Sequence, residues 1–102
     1  MADRLLKRLE DMNRRECLWI YILRILRDTP MHAYALRREI EKRFGFRPGT
    51  VTSYRVIYSL SSGGFVSKKT EGRRKMYHIT EKGKRELESA ARFYEGQSQL
   101  LR

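Results

Sequence analysis

Two neighbouring segments of the 102-residue chain carry side chains that can bind a polyanion. Residues 72–75, Gly-Arg-Arg-Lys, hold three consecutive cations, and Lys68 and Lys69 stand shortly before them. Residues 50–62 hold short hydroxyl side chains and Arg55. Guanidinium, ammonium and hydroxyl groups donate hydrogen bonds to phosphate oxygens and to base edges. The chemistry available to these residues is therefore noncovalent recognition of a polyanion.

The formal charge of the chain, +11, is concentrated around these segments. Residues 47–80 contain seven basic side chains and a single acid, Glu71. A surface that only keeps a protein soluble mixes both signs of charge, whereas a surface of one sign attracts a polyanion. The distribution predicts a positive face directed at a nucleic acid.

Side chains that could perform catalysis or hold a metal are sparse. The two histidines, His32 and His78, and the one cysteine, Cys17, fall on three predicted elements without the paired spacing of a metal site. The sequence has no paired carboxylates, no nucleophile–base set and no phosphate-binding glycine loop. We therefore expect no enzyme activity, no metal and no cofactor, and we expect His32 to form a hydrogen bond at a helix start.

Three features of the sequence bear on cellular location. A single cysteine allows no internal disulfide. The longest apolar run, Cys17–Leu23, is too short to span a bilayer. Residues 1–4 lack the apolar stretch and cleavage site of a signal peptide. We expect one domain over residues 1–102, located in the cytoplasm and without a membrane segment.

Hydrophobic periodicity and turn residues predict a mainly α fold with one small two-stranded antiparallel β hairpin. Within the single domain we expect an N-terminal helix at residues 1–12, a core at residues 14–80 and a C-terminal helix at residues 81–102. The predicted helices cover residues 2–12, 14–27, 32–43 and 50–62. The predicted strands cover residues 65–70 and 75–79, around a turn at 71–74. Thr80 is expected to cap a last helix that extends to about Leu101. Gly45 is expected to end the third helix.

The faces of the two central helices follow from their apolar spacing. In the third helix we expect Ala33, Leu36 and Ile40 to face inward. The residues expected to face solvent are Tyr34, Arg37, Arg38 and Glu41. The residues of the fourth helix expected to face the core are Val51, Tyr54, Ile57 with Tyr58, and Leu60. Those expected to face solvent are Thr52, Arg55, Val56 and Ser59, with Ser53 at the edge. Thr50 or Thr52 is expected to cap this helix.

A helix with a polar outer face, followed directly by a basic hairpin, predicts a winged helix-turn-helix. The major groove of B-DNA admits one α-helix, and a basic hairpin tip fits the adjacent backbone or the minor groove. The predicted DNA contacts are Tyr34, Thr50, Thr52, Ser53, Arg55, Ser59, Lys68, Arg73, Arg74 and Lys75. The alternatives are that Tyr34 packs at a rim, that the hydroxyls only cap and solvate their helix, and that the cations form a solvated turn.

The same residues resemble a known family. The segments that carry the resemblance are Ile22–Leu36, Pro48-Gly49-Thr50, Tyr54–Leu60, Gly64-Phe65-Val66 and Gly72–Gly83. In this order they are similar to PadR-type regulators over about residues 17–88. The resemblance implies a winged-helix dimer that regulates transcription, usually as a repressor. One C-terminal helix resembles the short subfamily, in which the first and last helices form the dimer.

The sequence departs from the family pattern at three places. Two more residues separate Pro-Gly-Thr from the helix tyrosine than in common members, and Ala33 stands where a glycine is frequent. The last helix has no tryptophan, so the drug binding between stacked tryptophans known for some short members is not carried over to this chain.

The terminal helices are expected to form a homodimer seam. Neither helix can bury its apolar stripe against so small a core without a partner. The predicted seam consists of Leu5, Leu6, Leu9, Leu87, Ala91 and Tyr94. The aromatic residues Trp19, Tyr21, Phe93 and Tyr94 are candidates for a pocket that binds a small aromatic effector between the dimer halves. The alternative is that these aromatics belong to the core or the interface.

Three functional hypotheses fit these observations. The first is a sequence-specific dimeric transcriptional regulator whose partner is double-stranded DNA with an inverted repeat. The second is a sequence-independent nucleic-acid-binding protein, either architectural or RNA-binding. The third is a protein-interaction winged helix with an acidic partner, against which the Gly-Arg-Arg-Lys tip argues.

Overall fold

The computed structural model describes residues 2–102, with side chains from Arg4 onward. The described elements are α1 (Ala2–Glu16), α2 (Leu18–Asp28), α3 (Ala33–Phe44), α4 (Thr50–Ser62), β1 (Val66–Glu71), β2 (Arg74–Ile79) and α5 (Glu81–Leu100). The two strands pair antiparallel, from Val66 opposite Ile79 to Glu71 opposite Arg74. The mainly α class and the predicted order of elements are confirmed.

Two predicted boundaries are wrong. The first helix continues past Met12 to Glu16, and the chain breaks at Cys17 instead of Asn13. No proline or glycine interrupts residues 12–16, so nothing local ends the helix there. The hairpin turn is also tighter than predicted, because only Gly72 and Arg73 separate the strands. Gly72 has φ +63°, a conformation that glycine adopts without strain.

Helix α2 is the centre of the core. Five of its eleven residues are buried, as its apolar circumference predicts: Leu18, Ile22, Leu23, Ile25 and Leu26. Helices α1, α3, α4 and α5 and strand β2 all pack directly on α2. Burial of apolar surface at about 25 cal/mol per Å² makes this helix the main source of stability.

Helix α3 begins and ends with the predicted signals. The His32 Nδ1 atom accepts a hydrogen bond from the Ala35 backbone N–H at 3.4 Å, and Gly45, with φ +79°, ends the helix. Ala33, Leu36 and Ile40 are buried against α2 and α4. The inward face predicted for this helix is therefore confirmed.

The ends of α2 and α3 are joined by an exposed ion-pair cluster. The Asp28 carboxylate accepts hydrogen bonds from both the Arg43 and the Arg24 guanidinium groups. These two cations hold the pKa of Asp28 below its ordinary value, with Arg43 the larger influence. The cluster lies at the opposite end of α3 from His32.

The hairpin is fixed to the α2–α3 connection by a backbone bridge. The Met31 N–H donates to the Tyr77 carbonyl at 3.2 Å, and the Tyr77 N–H donates to the Met31 carbonyl at 2.8 Å. Tyr77 is also buried in the core. The base of the hairpin therefore cannot rotate independently of the start of α3.

The start of α5 is packed tightly against the start of the hairpin. Thr80 accepts a hydrogen bond from the Gly83 N–H at 3.1 Å, as predicted for a cap, and its own hydroxyl donates to the Gly64 carbonyl at 2.6 Å. A Cβ atom placed on Gly83 would lie 2.2 Å from the Phe65 carbonyl oxygen. This close approach requires a glycine.

We predict opposite effects for two glycine substitutions in α5. Gly83→Ala should lower the free energy of unfolding by about 1–3 kcal/mol, because the methyl group would push Phe65 away. Gly96→Ala is the matched control, since its Cβ would meet nothing within 4 Å, and it should raise stability by up to about 1 kcal/mol. Urea denaturation measures both values. A stabilised Gly83→Ala variant would contradict the packing of α5 on Phe65.

Candidate nucleic-acid interface

The orientation of α4 differs from the prediction. Its buried residues are Ser53, Ile57 and Leu60. Val51 and Tyr58, predicted to face the core, are 70% and 73% exposed, and Tyr54 is half exposed. Val56, predicted to face solvent, packs partly against the core. The helix is therefore rotated relative to the expected faces, and its exposed side is more apolar and aromatic than predicted.

Ser53 is the clearest correction among the predicted DNA contacts. Its side chain is 1% exposed, and its hydroxyl donates to the Gly49 carbonyl at 2.8 Å. A serine whose hydroxyl bonds to the carbonyl four residues earlier satisfies its polar group within the helix and fits a close approach. Ser53 therefore cannot reach DNA. Gly49, and neither Thr50 nor Thr52, occupies the N-cap position of α4.

The exposed side of α4 still presents a set of side chains that lie at one surface. Its members are Thr50, Val51, Tyr54, Arg55 and Tyr58. Two of the predicted contacts, Thr50 and Arg55, belong to this set, and two more, Thr52 and Ser59, are also exposed on α4. The aromatic and apolar members were missed, because sequence spacing alone assigned them to the core.

A cleft of about 420 Å³ lies between the start of α3, the middle of α4 and the hairpin. We call it the wing cleft; its lining residues are His32, Ala33, Tyr34, Tyr54, Arg73, Arg74, Lys75 and Tyr77. Three of these eight residues are cations and none is an acid. The wing cleft thus brings together four predicted contacts: Tyr34, Arg73, Arg74 and Lys75.

The tyrosines of the wing cleft supply neutral hydrogen-bonding groups. Burial, and secondarily the neighbouring Tyr54, raises the pKa of the Tyr77 hydroxyl, which therefore stays protonated at neutral pH. Tyr34 is more than half exposed, and the Arg38 guanidinium lies 5.9 Å from its ring centroid. The site can bind an anion by charge while its hydroxyls donate hydrogen bonds.

The other hairpin cations lie on two faces. Residues directly opposite each other share a face, so Lys68 lies with Tyr77, and Lys69 lies with Met76. These two pairs point to opposite sides, since successive residues alternate. Lys68, a predicted contact, is therefore exposed on the face of the hairpin that also carries Lys75.

Six of the ten predicted contacts do not line the wing cleft, and three of these six, Arg55, Ser59 and Thr52, line other grooves. Ser59, together with Arg55, lines a separate groove beside Trp19 and Glu86. Thr52 lies at the start of α4, in a groove with three cations that the sequence analysis missed: Arg14, Arg15 and Arg47. The Arg14 guanidinium lies over the Phe46 ring at 5.4 Å. Only the tertiary fold brings the end of α1 beside the start of α4.

The predicted dimer residues divide into two groups. Leu5, Leu6 and Leu9 are more than half exposed on α1, and Ala91 is exposed on α5. Leu87 is instead buried in the core of its own chain, which corrects its assignment to an interface. The reason is that α5 packs on α2 and Leu87 faces that contact. Tyr94 is partly exposed, and its hydroxyl donates to Asn13 Oδ1 at 2.6 Å.

Three of the four candidate pocket aromatics come together. Trp19, Phe93 and Tyr94 line a groove of about 300 Å³ between α2 and α5. Tyr21 does not join them, because its ring packs edge-on against Phe44 and Phe46 at centroid distances of 4.9 and 5.1 Å. The small aromatic effector stays a prediction.

Within the residues that the structure describes, no group of three or more histidine, cysteine or acidic side chains is arranged to hold a metal ion. Across residues 2–102, no helix combines the length and apolar character needed to cross a membrane.

The arrangement defines a winged helix: α3 and α4 form the helix-turn-helix, and β1 and β2 form the wing. The chain belongs to the Transcriptional regulator PadR-like family, whose sequence profile matches residues 22–89. The members of this family are regulators of transcription. The resemblance noted from the sequence is therefore confirmed. No curated protein matches the chain at a significant level.

Solved structures share this fold. A transcriptional regulator from Clostridium thermocellum superimposes with a TM-score of 0.79 at 20% identity, covering 89% of this chain and 94% of that one. A PadR family transcriptional regulator from Eggerthella lenta gives a TM-score of 0.79 at 24% identity, covering 99% and 88%. A winged-helix DNA-binding protein from STIV gives 0.69 at 26% identity, covering 78% and 88%.

The orientation of α4 can be tested by two neighbouring substitutions. Ile57→Ala should lower the free energy of unfolding by about 2–5 kcal/mol, because Ile57 is buried. Tyr58→Ala should change it by no more than about 0.5 kcal/mol, because Tyr58 is exposed. Thermal and urea denaturation measure both. Equal losses for the two variants would mean that Tyr58 packs in the core.

Proposed function

We propose that this protein is a cytoplasmic, sequence-specific DNA-binding repressor that acts as a homodimer on an inverted-repeat operator. The observation that carries the proposal is the position of the exposed side of α4 directly beside the cationic wing cleft. Tyr54 belongs to both surfaces, so a duplex lying on one of them also meets the other. This is the arrangement in which a helix enters the major groove and a wing contacts the flanking backbone.

Sequence specificity is supported by the chemistry of the exposed side of α4. Arg55 carries the guanidinium group best suited to guanine O6 and N7, and Thr50 carries a hydroxyl that can bond to several bases. Val51 offers an apolar surface that suits the methyl group of thymine. The structure ties none of these three side chains into the core.

Affinity is supported by the cations of the wing cleft and of the α4 start. Arg73, Arg74 and Lys75 are all exposed, and Arg47 is exposed near Thr52. Lysine and arginine contacts to phosphates release bound counterions and contribute affinity for any DNA sequence. They position the protein on the duplex, while the base contacts of α4 select the sequence.

The homodimer is supported by the apolar surface that one protomer leaves exposed. Leu5, Leu6, Leu9 and Met12 form a stripe on α1. Phe93 and Leu100 are exposed on α5, and Leu101 is exposed directly after it. A twofold dimer places two copies of α4 about 34 Å apart, one turn of B-DNA, and reads an inverted repeat. Repression is the mode that the family resemblance implies, and it requires only occupancy of the operator.

A second candidate function is sequence-independent nucleic-acid binding. The observation in its favour is that the wing cleft contains groups suited to phosphates alone. The two functions differ in one measurement: a sequence-specific protein is competed much more weakly by random duplex than by its selected site at the same salt concentration.

We predict that Arg73→Ala combined with Arg74→Ala weakens binding to selected and random duplexes by the same factor. Loss of two phosphate contacts should reduce the salt slope of the logarithm of affinity by up to about 2. Sites are first selected from random duplexes, and fluorescence titrations then measure affinity between low and moderate salt. Arg92→Ala combined with Arg102→Ala is the control, because it removes one cation of α5 and one that follows the helix. An unchanged salt slope in the wing variant would refute the wing contacts, and recovery of no preferred site would favour the second function.

We predict that Leu5→Lys combined with Leu9→Lys yields a folded monomer. Both leucines are exposed in the protomer, so their replacement should leave the core intact while placing charges in the seam. Val51→Lys combined with Tyr58→Lys, on the exposed side of α4, is the matched control and should remain a dimer. Sedimentation velocity measures the state. A monomeric wild type, or a dimeric α1 variant, would overturn the assigned interface.

A further inference from the structure

His32 occupies an unusual position between two hydrogen-bond donors. Its Nδ1 atom faces the Ala35 backbone N–H at 3.4 Å, and its Nε2 atom lies 3.2 Å from Arg74 Nη1. Ala35 belongs to the first turn of α3, and Arg74 is the first residue of β2. The imidazole ring therefore connects the start of the helix-turn-helix to the tip of the wing.

The two contacts cannot both be satisfied by one imidazole. A neutral imidazole has one acceptor nitrogen and one N–H, and the protonated form has two N–H groups. The Ala35 backbone N–H and the Arg74 guanidinium can both only donate, so one ring nitrogen must direct a proton at a donor. In the tautomer that keeps the cap bond from Ala35 to Nδ1, the proton sits on Nε2. The Nε2–H and the guanidinium of Arg74 then face each other without an acceptor between them, and an anionic oxygen in the cleft favours this tautomer.

From this geometry we infer that His32 and Arg74 form a two-donor clamp for one phosphate of the DNA backbone. A phosphate oxygen placed in the wing cleft accepts from Nε2–H and from the Arg74 guanidinium together, which satisfies both donors. This inference rests on the proposed DNA-binding function and assigns His32 a role in it beyond capping α3.

The groups around His32 favour an anionic oxygen at this point. Arg73 and Lys75 of the hairpin line the wing cleft, as does Tyr54 of α4. Tyr34 of α3 also lines this cleft. Arg74 also lines the adjoining groove, together with four charged side chains of α3: Arg38, Glu39, Glu41 and Lys42. Of these, Glu39 is paired with Arg43 at 2.9 Å. The side facing the exposed surface of α4 therefore carries cations and hydroxyls.

Two substitutions separate the clamp from the cap. His32→Asn keeps a good capping acceptor near the position of Nδ1 but removes the distant N–H donor. His32→Gln places an amide N–H₂ group near the position of Nε2 and loses the short capping acceptor. The clamp predicts that Asn keeps the melting temperature and lowers DNA affinity about tenfold, whereas Gln lowers the melting temperature and keeps most of the affinity.

The phosphate itself is identified with duplexes that carry one neutral methylphosphonate at each backbone position in turn. At one position per half-site, the methylphosphonate should lower the affinity of the wild type about tenfold. The same methylphosphonate should lower the affinity of His32→Asn and of Arg74→Ala by less than about twofold, because each variant already lacks one of the two donors. Arg92→Ala, on α5, is the control and should respond as the wild type does at every position.

The outcomes distinguish the clamp from the proposed function. If no duplex binds, the proposed function fails. If DNA binds but no position shows coupling to both His32 and Arg74, the clamp is wrong and the function stands. If affinity follows the melting temperature across the Asn and Gln variants, His32 acts only as a cap, and the clamp is again overturned.

Discussion

The burial of α2 is the constraint on which the rest of the structure depends. An eleven-residue helix that is apolar around most of its circumference must be covered on all sides, and here α1, α3, α4, α5 and β2 all pack on it. Covering it fixes the angle between α3 and α4, and the bridge between Met31 and Tyr77 fixes the hairpin to the same frame. The core therefore holds the wing cleft in place, and only two residues of the wing cleft, Ala33 and Tyr77, belong to that core.

The sequence predicted the elements well because their signals are local. The His32 and Thr80 caps and Gly45 each act within a few residues, and all lie where expected. The basic turn lies at the predicted place, although it is shorter than predicted. The orientation of α4 could not be predicted in the same way. Val51, Tyr54 and Tyr58 form a stripe at helical spacing as regular as that of Ser53, Ile57 and Leu60. Only contact with α2 and α3 decides which stripe is buried, and a serine that bonds to its own backbone fits where a tyrosine would not.

The candidate site shows the same division between local and long-range information. The cations of the hairpin were evident, because they stand together in the chain and at its most basic stretch. His32, Arg14 and Arg15 were not, because their positions beside Arg74 and Thr52 depend on contacts between distant segments. Leu87 was misassigned for a related reason: a twenty-residue helix of about 30 Å carries both buried and exposed apolar residues, such as Leu87 and Phe93, and their spacing alone does not separate the two.

The close contact between Gly83 and Phe65 has a mechanical consequence. With no space at the root of α5, and with Lys82 also donating to the Gly63 carbonyl at 2.7 Å, this helix cannot swivel without moving the end of α4. Helix α5 and the α3–α4 pair with the hairpin then move together as one rigid body. In a dimer joined through α5, a change of a few degrees in the angle between the two α5 helices would alter the distance between the two copies of α4.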